Sequence, residues 1–298
     1  MSEFKQWDQL SHAEQHLVFA ENIGKHLSID ETALSHGELY TVVTNKSAKG
    51  RAGSIVAIVA GTSSEQVIEV LHKIPQRLRN KVEEITLDMA GSMNLIAKRC
   101  FANAVLVTDR FHVQKLALEA VQELRIKHRW EAIDAENEAI EKARKHKKAY
   151  HPTILENGDT IKQLLARSRY VLYKKAKSWT PDQKRRADLL FSLYPDIQAA
   201  YLLSQQLNWI FETTTDKIYG YTRLAQWHEK VAHSGFKSFN TISRTIMNHY
   251  KTILNYFDNR STNASAESFN AKIKAFRAQF RGVRNVAFFL FRLTQIYA

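Results

Sequence analysis

The chain has 298 residues, 44% of them hydrophobic, with one Cys, four Pro, ten Gly and a net charge of +13. That composition supports a buried core and regular structure, and it excludes a mainly disordered chain. The single Cys100 excludes an internal disulfide framework and a cysteine zinc site, and no apolar run reaches the roughly 18 residues of a membrane span.

Residues 2–23 carry Trp7, Leu10, Leu17, Phe19 and Ile23 among polar residues, and Ser11 with Glu14 has capping-box spacing. One or two short helices ending at Gly24 are expected here. The first residues lack the charged-then-apolar pattern of a secretion signal, which predicts a cytoplasmic protein, nucleoid-associated if it acts on DNA.

Three strands are expected next, at 26–29, 38–44 and 54–60. The first leads into Asp30-Glu31, and the second follows a His36-Gly37 turn. Their short connections predict an antiparallel meander. The apolar period then changes. Ser63-Ser64-Glu65 opens a helix ending near Pro75, a strand at 82–87 stops at Asp88, and 91–100 reads as a helix. A strand at 104–108 ends at Asp109, and a long helix starts at Phe111. Right-handed crossovers place the fourth strand beside the first. The expected class is therefore α/β: a ribonuclease H-like mixed sheet with strands 1–3 antiparallel, strands 4–5 parallel, and a large all-helical insertion.

From 127 to 257 no convincing strand occurs, and Pro152, Pro181, Pro195 and the Asn157-Gly158-Asp159 turn divide the helical pattern. Trp130, Trp179, Trp209 and Trp227 all fall here and are expected mainly in the core. His146 and His151 flank a lysine-rich run and are expected to be solvated. After a turn at 258–261, a helix over 262–280, capped by Thr262 or Asn263, carries Glu267, Asn270 and Lys274 on one face. An apolar helix at 286–296 closes the chain. The expected divisions are 1–25, a first part of the core at 26–126, the insertion at 127–257, and 258–298 completing the core.

Charge is concentrated in two places. Residues 142–186 hold 14 Lys and Arg against three acidic residues, and 259–298 hold seven against Glu267 alone. Two basic blocks on a nearly neutral body form a polyanion footprint; a solvated surface is the plainer alternative.

Asp30, Asp88 and Glu267 suit a divalent-metal centre if the fold is as expected. Phosphodiester chemistry builds charge on the entering and leaving oxygens, which two Mg²⁺ ions neutralise, and Mg²⁺ prefers oxygen ligands. Taken singly, an Asp after a strand is usually a turn former and a helical Glu usually solvated. Asp109 competes with Asp88 but lies one strand spacing further from Asp30; Glu31 points to the opposite face.

The segments Thr86-Leu87-Asp88-Met89, Phe101-Ala102-Asn103-Ala104 and Thr108-Asp109-Arg110-Phe111-His112 resemble the core of the ISL-type insertion-sequence transposases of bacteria. The run from Asn263 through Glu267 and Asn270 to Lys274, with Arg281-Gly282-Val283-Arg284-Asn285, resembles their closing motif. The resemblance covers roughly 28–298. It implies a DDE transposase that cleaves DNA and transfers the strand, with Asp30, Asp88 and Glu267 as metal-binding triad and two Mg²⁺ ions, or Mn²⁺, as cofactor. Asp109 and His112 match an Asp-x-x-His signature, so His112 is an auxiliary residue or simply a helix-capping one. Asn270 is expected to position DNA or water, and Lys272, Lys274, Arg277, Arg281 and Arg284 to meet phosphates. A homodimer acting on double-stranded element ends and target is expected. Family members carry an N-terminal zinc-binding segment and a helix-turn-helix; about 25 residues precede the first strand here, which predicts a separate DNA-recognition polypeptide. The alternatives are a resolvase-like nuclease of the same fold and a non-enzymatic DNA-binding remnant.

Overall fold

A computed structural model describes residues 2–35, 38–280 and 282–298. The predicted His36-Gly37 turn and Arg281 lie outside the described residues. The chain forms two compact units, one of Met1–His112 with His249–Ala298 and one of Val113–Asn248.

The first unit is built on a six-stranded mixed sheet. Its strands are β1 (His16–Val18), β2 (His26–Ser35), β3 (Glu38–Asn45), β4 (Ile55–Ala60), β5 (Glu84–Leu87) and β6 (Val105–Thr108), in the spatial order β1-β4-β3-β2-β5-β6. β2, β3 and β4 pair antiparallel, and β2–β5 and β5–β6 pair parallel. The expected crossover beside the first long strand is therefore present. Alternation along β2 explains the layering: Leu27 and Ile29 face one side, Ser28 and Asp30 the other. On the apolar side they join Ile85, Leu87 and Val43 under the helices Ser64–His72 and Gly91–Cys100, through Val67, Leu71, Met93 and Ile96. Each such fully buried side chain contributes roughly 1.5–3 kcal/mol. On the opposite side Val42, Tyr40 and Ile58 pack against Phe269 and Ile273 of the helix Ala264–Gln279, and against Phe289 and Leu290 of the closing helix Val286–Tyr297.

Two features differ from the sequence reading. The N-terminal stretch is not simply helical: it has a helical turn at Ser2–Lys5, two 3-10 turns, and β1, which adds to the β4 edge as a sixth strand. The Gln9 side chain holds that edge, accepting from Val18 N–H (2.9 Å) and donating to Val18 O (3.1 Å). Three residues are too few to show a period, and an exposed sheet edge recruits a strand that local propensity does not announce. Secondly, β2 does not stop before Asp30. It runs on to Ser35 because β3 continues to pair with it, Asp30 opposite Val42 and Thr32 opposite Tyr40, while β5 ends at Leu87. Asp30 thus lies within a strand.

The second unit contains helices and connecting turns among its described residues, from the long helix Arg110–Lys145, which starts in the first unit, to Lys237–Asn248. Pro181 and Pro195 each occupy the first position of a helix, where their missing N–H costs nothing. Trp227 is fully buried and donates its indole N–H to Leu203 O at 2.9 Å. Trp130 and Trp209 are exposed, against the expectation of core tryptophans. The Trp209 ring is instead covered by the Arg223 guanidinium, 4.6 Å from its centroid. His146 and His151 are exposed, as expected.

Candidate metal centre

Five side chains, from three strands and two helices, gather on one face of the sheet. The register Ser28↔Thr86 carries forward two residues to Asp30 and Asp88, so these carboxylates project from neighbouring strands on one face. Leu87↔Thr108 carries forward one residue to Asp88 and Asp109, and Asp109 N–H extends that ladder to Leu87 O at 2.9 Å. Three adjacent strands, spaced about 4.8 Å, therefore each offer an Asp at the same level.

Each carboxylate is held locally. Asp30 accepts from Glu31 N–H at Oδ1 (2.9 Å) and from Asn270 Nδ2 at Oδ2 (2.7 Å). Asp88 accepts from Ala90 N–H at Oδ1 (2.8 Å), an Asx turn at the start of the helix Gly91–Cys100. Asp109 is fully buried; its Oδ1 accepts from Phe111 N–H at 3.3 Å, and the Asn263 backbone N–H lies beside its carboxylate. Glu267 lies exposed in the first turn of its helix, and His112 lies in the first turn of the long helix.

The electrostatics reflect this crowding. Burial pushes the Asp30 carboxyl up to about 6; Asp88 and Glu267 push the same way, and the Glu31 N–H and His112 oppose. Burial also raises Asp109, against the backbone N–H groups of Phe111 and Asn263. Glu31 is raised by burial and by Asp88. Like charges this close are costly unless a proton or a cation joins them.

Among the described residues, one set of at least three donors closes tightly: one ligand atom each from Asp109, His112 and Glu267, all within 4.8 Å of one another. Asp30 is the electrostatic neighbour of Asp88, Glu267 and His112. The Asp109 Oδ2 and His112 Nε2 atoms are enclosed with no hydrogen-bond partner. Enclosed orphan donors beside several carboxylates are the chemistry a divalent cation satisfies, so the residues fit such an ion.

The chain matches the family model of the ISL3-type DDE transposases, described as a transposase, over residues 27–293. The chain belongs to this transposase family. No curated protein and no solved structure matches it. Metal-dependent cleavage and strand transfer of DNA is the general activity of the ISL3-type transposases. The matched span contains all five clustered residues.

The transposase's expected DNA-contact residues separate in the structure. Lys274 and Arg284 are exposed. Lys272 donates to Gly50 O at 3.0 Å, and Arg277 donates to Val283 O at 3.2 Å while lying over the Phe289 ring at 4.8 Å. Lys272 and Arg277 thus each give one donor to the chain's own backbone. Arg281 lies outside the described residues.

Asn263 is a residue that sequence reasoning treated only as a cap. It does stand at the N-cap position, but its side chain makes no cap bond. Its Oδ1 accepts from Ser28 Oγ, its N–H reaches Asp109, and its carbonyl accepts from Glu267 N–H at 2.9 Å. One buried Asn thereby ties β2, the end of β6 and the Glu267 helix together. No helix among the described residues is long and apolar enough to cross a membrane.

Proposed function

We propose that this chain is the catalytic part of a transposase with a ribonuclease H-like sheet, in which Asp30, Asp88 and Glu267 bind two Mg²⁺ ions, Mn²⁺ being an alternative. The strand order supports the fold: three antiparallel strands followed by two parallel ones, with β1 as an added edge. The observation that carries the reading is the Asn270–Asp30 hydrogen bond, because it seats the Glu267 helix on the strand that bears the first acid, 240 residues away in sequence. The ions would neutralise charge on the entering and leaving oxygens of the phosphodiester. The chain's own work is to hold the carboxylates at fixed separation. Glu31 N–H and Asn270 fix Asp30, and the Ala90 N–H fixes Asp88. The exposed position of Glu267 leaves room for a DNA strand to enter.

A homodimer, with each protomer acting on one element end, is part of the proposal. The test is direct: the full chain, with Mg²⁺ and a labelled duplex carrying an element end, yields both cleaved and joined products. Cleavage that never proceeds to joining would instead indicate a resolvase-like nuclease.

Lys274 and Arg284 are the proposed phosphate contacts. Lys274→Ala and Arg284→Ala are each expected to lower the slope of log affinity against log salt by about 1. Binding isotherms between roughly 50 and 200 mM salt check this; an unchanged slope in both variants removes them from the interface.

A further inference from the structure

We propose that Asp109, His112 and Glu267 form a mixed imidazole–carboxylate site that takes a first-row transition-metal divalent cation in preference to Mg²⁺, as one of the two metal positions. This rests on the reading of the acid cluster as a metal centre. It departs from that reading in assigning His112 and Asp109 as direct ligands.

The three ligand atoms lie within 4.8 Å of one another. Neighbouring ligands on one ion with bonds of about 2.1 Å are roughly 3–3.4 Å apart, so side-chain rotation has to draw the three inward on binding. Asp109 and His112 stand three residues apart at the start of one helix, so their side chains project to the same side. Phe111 N–H occupies Asp109 Oδ1, leaving Oδ2 enclosed and without a hydrogen-bond partner. His112 Nε2 is likewise enclosed and unpartnered. Buried polar atoms are almost always paired, by protein, water or an ion, and a cation between these two orphans satisfies both at once. Glu267 closes the set from the opposite helix.

The nitrogen sets the preference. Mg²⁺ favours oxygen donors and retains water, whereas an imidazole adds affinity for the transition ions. Asp30 and Asp88 offer oxygen alone. Two positions of unlike donor chemistry therefore share Glu267.

The probe is Mn²⁺ added to the metal-free full chain without DNA, followed by electron paramagnetic resonance. The wild type is expected to show electron-spin-echo modulation from a directly bound ¹⁴N, and to bind Mn²⁺ at least about tenfold more tightly than Mg²⁺ in competition. His112→Ala is expected to lose the nitrogen coupling and to weaken Mn²⁺ by about tenfold or more, with Mg²⁺ affinity within about twofold; removal of an outer-shell partner alone costs roughly 10–100-fold, and a direct ligand is worth no less. Absence of nitrogen coupling in the wild type overturns the proposal, and this measurement needs no variant to fold. Unchanged Mn²⁺ affinity in folded His112→Ala also overturns it. If the coupling is absent while Asp88→Asn still abolishes Mg²⁺-dependent cleavage, this site falls and the catalytic reading stands. If Asp88→Asn cleaves normally, the catalytic reading falls whatever the coupling shows.

Discussion

Glu267→Gln is expected to reduce Mg²⁺-dependent DNA cleavage by about 10²–10³-fold or more, while DNA affinity at fixed salt stays within about twofold. The substitution preserves length and helix propensity. The helix stays anchored by Ala266, Phe269 and Ile273, all buried, so the fold is not the casualty. What is lost is a negative ligand beside the reacting phosphate. Asp88→Asn should behave alike, since an Asn oxygen at the same place still accepts from Ala90 N–H. A nicking assay with end-labelled duplex, paired with a binding isotherm, separates the two effects. A Gln variant that cuts at the wild-type rate would remove Glu267 from the chemistry.

Divalent metal is expected to stabilise the chain at pH 7.5 about twice as much as at pH 5. The Asp30 carboxyl titrates at about 6 in the folded chain, above its ordinary 3.8, and Asp109 and Glu31 shift in the same direction. Between those values Asp30 in the folded state holds a proton that the unfolded state has released. Its contribution to stability is complete below about 3.8 and lost as pH rises through about 6. Above that, the metal-free centre is a cluster of mutually repelling carboxylates. Metal at about 100 times its dissociation constant adds about 2.7 kcal/mol. For a chain of this size that corresponds to an upward shift in Tm of about 5 °C. At pH 5 a proton on Asp30 competes for the same oxygens and weakens the metal about tenfold, so the shift should fall to about half that at pH 7.5. Calorimetry with and without Mg²⁺ at the two pH values checks this. An equal shift at both would place the binding elsewhere.

Much of the frame was legible from local pattern. The helix Gly91–Cys100 was read at its observed bounds, because Met93, Ile96, Ala97 and Cys100 recur at helical spacing after a Gly. The parallel placement of β5 beside β2 followed from the handedness of crossovers. Other features were not local. β1 is three residues completed by a neighbour's edge, and the continuation of β2 through Asp30 depends on pairing with β3. The bond from Ser28 to Asn263 spans 235 residues, and nothing in either segment announces it. Strand spacing favours Asp88 over Asp109 as the neighbour of Asp30, whereas the approach of the Glu267 helix to Asp109 and His112 joins segments far apart in sequence and leaves no local trace. That Lys272 and Arg277 each donate to a backbone carbonyl of their own chain is likewise invisible in the charge pattern.

The central claim is that acids from separate strands and from the Glu267 helix converge to hold divalent cations. Anomalous diffraction from a Mn²⁺-soaked crystal of the full chain tests it most directly. The expected result is density for two ions about 3.5–4 Å apart, bounded by Asp30, Asp88 and Glu267, with Asp109 and His112 on the Glu267 side. A map in which Mn²⁺ binds elsewhere, with these side chains unengaged at neutral pH, would contradict the account.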